Sequence, residues 1–88
     1  MKELHKNICL TDHAKIKMNE RSISLSMVEK TINNPDSTTA DKFDNSVIHF
    51  IKKVGTKYLR VLARSDNNNK IIITAFFDRR IKKELRND

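Results

Sequence analysis

The sequence predicts an α+β domain in which two N-terminal helices pack on one face of a small antiparallel sheet, in the order β-α-α-β-β-β-β. Three observations carry that expectation. Two capped, helix-like segments precede the chain's one proline, Pro35. Beyond it, apolar and polar residues alternate with a period of two, in runs separated by turn-forming residues. The one glycine, Gly55, stands with Thr56 between two such runs, where a two-residue hairpin connection belongs.

The elements follow in order. Asn7 to Leu10 reads as a short first strand. Thr11 or Asp12 offers an N-cap for a helix over His13 to Arg21, with Ala14 and Met18 toward the core and Ile16 at its edge. Ser24 caps a second helix, with Ile23 and Val28 as the hydrophobic staple, and Ser26 with Glu29 offers a competing capping box. Val28 and Ile32 form its apolar stripe, and Asn33-Asn34-Pro35-Asp36 ends it. Ser37 to Phe43 reads as a Thr-rich edge strand, Asp44-Asn45 as a turn, and Val47 to Val54 as the next strand. Tyr58 to Arg64 follows the Gly55-Thr56 turn, Asp66 to Asn69 form a polar turn, and Ile71 to Phe77 make the last strand. The closing RRIKKELRND is a basic tail with a helical turn.

The turn fixes a register. With Gly55-Thr56 at the hairpin, Val54 pairs with Lys57, so Ile48, Phe50 and Val54 share a face with Leu59, Val61 and Ala63. That face is apolar and belongs under the helices. The other gathers Val47, His49, Ile51 and Lys53 with Tyr58, Arg60, Leu62 and Arg64. If Ser65 pairs with Lys70, the last strand adds Ile71, Ile73, Ala75 and Phe77 to this second face.

With 88 residues, 38% hydrophobic and 33% charged, the chain suits one domain over 1–88, its core at about 8–80 and its basic tail at 79–88. No apolar run approaches the ~18 residues of a membrane span. The start, MKELHKNICLTD, has no apolar stretch of the signal-peptide kind, and Cys9 has no second cysteine to pair with, so a cytoplasmic location is expected. Residues 1–36 hold six Lys/Arg against five Asp/Glu, and residues 37–88 hold twelve against six. The net +7 is therefore concentrated in the sheet half, which favours a polyanion or an acidic protein as partner. His5, Cys9 and His13 have H-x₃-C-x₃-H spacing, but a helix start at Thr11 or Asp12 breaks their alignment and no fourth ligand is evident, so no metal is expected. Glycine-rich phosphate loops are absent, and no cofactor is expected.

Within Tyr58-Leu59-Arg60-Val61-Leu62-Ala63-Arg64, two guanidiniums and a phenol occupy the face away from the helices. Arg is the planar, always-charged phosphate ligand, which makes that face the candidate working surface.

Three segments in this order, LTDHAKIKMNERSISLSMVEKTINNPD (10–36), KYLRVLAR (57–64) and KIIITAFFDRR (70–80), resemble an uncharacterised family of short bacterial domains grouped with the RelE/ParE/BrnT-like toxin superfamily. The resemblance spans roughly residues 8 to 83. It implies a RelE-like arrangement of two helices on a small sheet with a concave opposite face, which in ribonuclease members binds and cleaves RNA without metal, often under a neutralising antitoxin. Other members poison gyrase. It also implies site roles for His13 in the T-x-H-A motif, for Arg21 in E-R-x-I-S, for Arg60 and Arg64, and for Asp78-Arg79-Arg80.

Such cleavage needs a base for the 2′-OH, donors for the charged phosphorane and an acid for the leaving oxygen. His13 or His49 suits base or acid, Arg60 and Arg64 a phosphate clamp, and Arg79 or Arg80 the transition-state charge. Tyr58 would stack on a base or donate a proton, and Arg21, Lys53, Lys57, Lys82 and Lys83 would hold the strand. The expected partners are RNA, including mRNA on the ribosome, and an acidic antitoxin. The competing reading is a module that binds RNA or protein with the same face and cuts nothing.

Overall fold

The computed structural model describes residues 7–80. The elements are β1 (Ile8–Leu10), α1 (Asp12–Glu20), α2 (Leu25–Asn33), β2 (Ser37–Ala40), β3 (Val47–Val54), β4 (Lys57–Asp66) and β5 (Asn69–Phe77). The α+β class, the order of elements and the helix layer are as the sequence predicts. The sheet runs β1-β5-β4-β3-β2, and it is mixed rather than wholly antiparallel: β1 pairs in parallel with β5, Ile8 opposite Lys70 and Leu10 opposite Ile72. Helix α1 packs on β5 and β1 and helix α2 on β4 and β3, so the helices carry the chain across the sheet from one edge strand, β1, to the other, β2.

Both helices start where the sequence places them. Thr11 caps α1 by accepting from the Ala14 N–H at 3.0 Å, and its own hydroxyl donates to the carbonyls of Ile72 and Ile73. Ser24 caps α2 and accepts from the Met27 N–H at 3.1 Å. The reciprocal arm of that capping box comes from the Met27 thioether, which accepts the Ser24 N–H at 3.4 Å where a Glu or Gln is usual. The Ser26–Glu29 register is therefore not used. Ile23 and Val28, at N′ and N4, are both buried.

Between the helices, Ile23 N–H reaches Met18 O at 2.9 Å and Ser22 N–H reaches Asn19 O at 3.3 Å, the two bonds of a Schellman motif. Ser22 takes the left-handed position at φ 57 that glycine usually fills. Met18 and Ile23 supply the apolar contact that accompanies the motif, both lying in one core cluster.

That core lies between the helices and one sheet face. Ala14, Met18, Ile23 and Val28 meet Leu59, Val61, Ala63, Ile72 and Ala75 there, with Phe50 and Val54 packed alongside. Each fully buried aliphatic such as Leu59 or Ile72 contributes roughly 1.5–3 kcal/mol. Ile16, placed at the core edge from sequence, is 55% exposed instead. Thr31 is fully buried beside Val28, its hydroxyl donating to Met27 O at 2.8 Å, a bond that removes the penalty of burying it.

The β3–β4 register is the one predicted, from Val54 opposite Lys57 to Val47 opposite Arg64. The β4–β5 register begins as predicted at Ser65–Lys70, then shifts between Leu62 and Ala63, whose partners are Thr74 and Ile72. One extra residue, Ile73, sits in β5 as a bulge and inverts the parity beyond it. Ala75 and Phe77, expected on the open face, therefore join the core, and Phe76 takes their place outside. The edge strand is shorter than expected. β2 ends at Ala40 rather than Phe43, because residues 41–46 form a loop built on the carboxylates of Asp41 and Asp44. The last connection is shorter too: Asp66 and Asn69 are paired, leaving Asn67 (φ 63) and Asn68 as the turn. The expected helical turn of the tail lies outside the described residues. No helix among those described is long and apolar enough to cross a membrane.

Candidate functional site

The sheet face away from the helices holds a cleft of about 560 Å³. Its floor comes from alternate positions of three neighbouring strands, His49 and Ile51 on β3, Arg60 on β4 and Phe76 on β5. One wall is β2 and the loop after it, with Asp41, Lys42 and Phe43; the other is the chain after β5, with Asp78 and Arg80.

A chain of polar contacts crosses this cleft. Asp41 Oδ1 lies 2.7 Å from His49 Nε2, His49 Nδ1 lies 2.6 Å from Arg60 Nη1, and Arg60 Nε donates to Asp78 Oδ2 at 3.1 Å. Asp78 Oδ1 accepts the Arg80 backbone N–H at 2.9 Å, with Arg80 Nε at 3.5 Å. In the alternating order (carboxylate, imidazole, guanidinium, carboxylate, guanidinium) each contact joins a donor to an acceptor. Because a guanidinium only donates, the bond to Arg60 assigns the lone pair to Nδ1 and the hydrogen to Nε2, which donates to Asp41.

Burial grades along the chain. The Asp78 and Arg60 side chains keep 5% and 12% of their exposure, His49 and Asp41 keep 15% and 21%, and Arg80 keeps 86%. The Arg60–Asp78 pair is therefore the covered end of the chain of contacts, while Arg80 presents its charge to solvent. The N–H groups of His49 and then Phe43 hold the Asp41 carboxyl below its usual range, with the Asp44 N–H assisting. Asp44 is held low as well, chiefly by the hydroxyl and N–H of Ser46 and more weakly by the Arg64 charge.

The predicted site residues divide accordingly. His49, Arg60 and Arg80 come together in the cleft. Arg64 is on the same face but at its far end, exposed, opposite Val47 and facing Asp44. Tyr58 and Lys53 pair with each other toward the opposite end, beyond Arg60, and neither lines the cleft. The Tyr58 carbonyl accepts the Asp78 N–H at 2.9 Å, which fixes where the last wall begins. His13 is exposed in the first turn of α1, in the layer on the other side of the sheet. Lys57 also falls on the helix side, its ammonium 5.2 Å from the centre of the Phe77 ring. Arg21 donates to Ala75 O at 2.9 Å and stands 6.0 Å from the centre of the Phe76 ring. β1 pairs only with residues 70–72 of β5, so Arg21 satisfies an edge carbonyl that β1 leaves open. Arg79 is exposed beside Asp78, and Lys82 and Lys83 lie outside the described residues.

Two members were not singled out from sequence. Asp41 falls inside the edge strand that the sequence predicts over Ser37 to Phe43, which ends one residue before it in the structure, and in the sequence Asp78 stands only as part of a charged triplet with Arg79 and Arg80. A period-two reading of β2 already sets Asp41 on the face of Thr39, the residue opposite His49, and this was the available signal. Nothing local marks Asp78 as the partner of a residue 18 positions away.

Among the described residues no three His, Cys, Asp or Glu side chains converge as a metal site, and His5 of the H-x₃-C-x₃-H spacing lies outside them. No curated protein and no solved structure matches the chain. A family does: the sequence model of DUF4258, a domain of unknown function, covers residues 10–77, from the end of β1 to the end of β5. The chain belongs to the DUF4258 family.

Proposed function

We propose that the cleft binds RNA and cleaves it without a metal, as a toxin-like ribonuclease of the RelE/BrnT type acting in the cytoplasm under the control of an acidic antitoxin. The observation that carries this reading is the chain Asp41–His49–Arg60–Asp78–Arg80 across the cleft. Asp41 holds the imidazole so that Nδ1, the basic nitrogen, points to Arg60. A phosphate entering the cleft competes for the guanidinium, since an anion attracts it more strongly than a neutral ring nitrogen does. As Arg60 turns to the phosphate, Nδ1 is released to take the proton of the 2′-OH. The 2′-oxygen then bonds to phosphorus and the P–O5′ bond breaks, leaving a 2′,3′-cyclic phosphate and a 5′-hydroxyl. The leaving oxygen takes its proton from water, and the hydroxide so formed recovers one from the imidazolium. Arg80 faces the charge that develops on the phosphorane.

The second reading is a module that binds RNA without cutting it. It is favoured by one feature, that both ring nitrogens of His49 are engaged. One experiment separates the two. Purified protein is incubated with single-stranded RNA in excess EDTA, and the products are examined for 2′,3′-cyclic phosphate ends. Cleavage by the wild type that is lost in His49→Ala supports the nuclease. Binding with intact RNA supports the module, and absence of binding removes both.

A further inference from the structure

We propose that Phe43 is a stacking platform for an unpaired base, so that the cleft takes single-stranded and not duplex RNA; this rests on the RNA reading above. Phe43 is 94% exposed, against 55% for Ile16 and 46% for Leu25, which stand on the helices across the sheet. It is also the one of the three that lines the cleft, on the wall facing Arg80.

The exposure is built into the loop. The Phe43 N–H donates to Asp41 Oδ2 at 3.0 Å and the Asp44 N–H to the same oxygen at 3.1 Å. Asp44 Oδ1 accepts both the N–H and the hydroxyl of Ser46, at 3.0 and 2.6 Å. Asp41 N–H to Val47 O and Val47 N–H to Asp44 O, each 3.0 Å, close the loop onto β3. The Asp41 carboxylate that fixes this backbone also accepts from His49, so one side chain sets the ring and the imidazole relative to each other.

The surroundings choose the ligand class. The residues flanking Phe43 in the loop are Lys42, Asp44, Asn45 and Ser46, and the ring is 94% exposed, so it lacks the surrounding contacts that exclude water from an anchor in a protein–protein interface. An isolated aromatic face beside outward cations suits a nucleotide instead, with the base on Phe43 and phosphates on Arg80 and Lys42. In a duplex both faces of each base are already stacked on neighbours, so a ring on a loop reaches none of them.

The chain has no tryptophan, so Phe43→Trp places a single reporter at this position. Its emission is followed while a 2′-O-methyl oligoribonucleotide of about 12 nucleotides, which cannot be cleaved, is added as a single strand or as a duplex. Anisotropy of the labelled strand measures binding by the wild type, Phe43→Ala and Phe43→Leu in parallel. The single strand is expected to quench the emission and the duplex to leave it unchanged. Phe43→Ala and Phe43→Leu should both weaken single-strand binding roughly 5- to 100-fold. Unchanged affinity in Phe43→Ala, or equal binding of duplex, overturns stacking while the RNA reading stands. If the wild type binds neither form, both fail. If RNA leaves the emission unchanged while a co-purifying acidic protein shifts it, the ring anchors a protein and the proposal falls.

Discussion

Arg60 Nη1 lies 2.6 Å from His49 Nδ1, and together with the Asp41 contact on the other ring nitrogen this sets the protonation pattern of the cleft. A guanidinium has no acceptor, so Nδ1 must accept and Nε2 must carry the hydrogen given to Asp41. A proton placed on Nδ1 would set N–H against N–H, so the proposed role of His49 as a base requires Arg60 to move first. Arg60→Met is expected to keep the Nε2–H tautomer, because the ionised Asp41 still accepts that hydrogen, and to lower RNA cleavage by about 100-fold or more. Imidazole ¹⁵N shifts check the first expectation and initial cleavage rates the second. A wild-type spectrum showing the Nδ1–H tautomer would refute the assignment.

His49 and His13 are on opposite sides of the sheet, so the proposed reaction can use only one of them. His49→Ala should reduce cleavage by about 10²-fold or more, the usual worth of a general base. His13→Ala should match the wild type. Equal losses in the two variants, measured on the same RNA, would reject the cleft as the reacting site.

Asp78 is nine-tenths covered and neutralises an Arg60 side chain that keeps 12% of its exposure. Asp78→Ala leaves that guanidinium without its carboxylate, a loss of about 3–5 kcal/mol for a buried pair. The double variant Asp78→Ala with Arg60→Met should recover part of this, because no unpaired charge remains. Urea denaturation of both variants tests it, and a double variant no more stable than Asp78→Ala would contradict the pairing.

The Asp41 carboxyl is held low first by the His49 N–H and then by the Phe43 N–H. A folded-state value below the unfolded one makes the ionised form the stabilising one. Its contribution is complete above about pH 4 and is lost as pH falls through the lower folded value. The amide resonances of Phe43 and Asp44 should therefore hold their shifts from neutral pH to about pH 4 and move together below it. In Asp41→Asn this common step should vanish.

Ser22 occupies a left-handed position at φ 57 with both Schellman bonds made. Glycine adopts that conformation without the Cβ clash, so Ser22→Gly should raise stability by about 0.5–1 kcal/mol. A fall in the denaturation midpoint would show that the serine is not strained there.

Much of the fold was legible because its signals are local. Ser24 and the Ile23–Val28 staple start α2, and Gly55 at φ 67 sets the hairpin, from which the whole β3–β4 ladder follows by counting. Counting failed in β5 because Ile73 adds one residue to the strand, and a single addition exchanges the two faces. The site was legible only in part, for the same reason. His49 and Arg60 lie on strands whose register the turn determines, whereas Asp41 and Asp78 lie just beyond strand ends, where no alternation rule applies.

The sequence by itself determined the α+β order, the helix starts, the core face of β3 and β4, and the concentration of positive charge in the sheet half. Each rests on neighbours a few residues apart, or on the strict alternation of a strand. The tertiary structure alone decided that β1 joins β5 in parallel, that Phe76 and not Phe77 faces the cleft, and that the imidazole of His49 stands between Asp41 and Arg60. The His49 contacts join positions 8 and 11 residues apart, and β1 meets β5 across some sixty residues of chain. They depend on where strands end and how the chain turns afterward, and only the packed sheet fixes that.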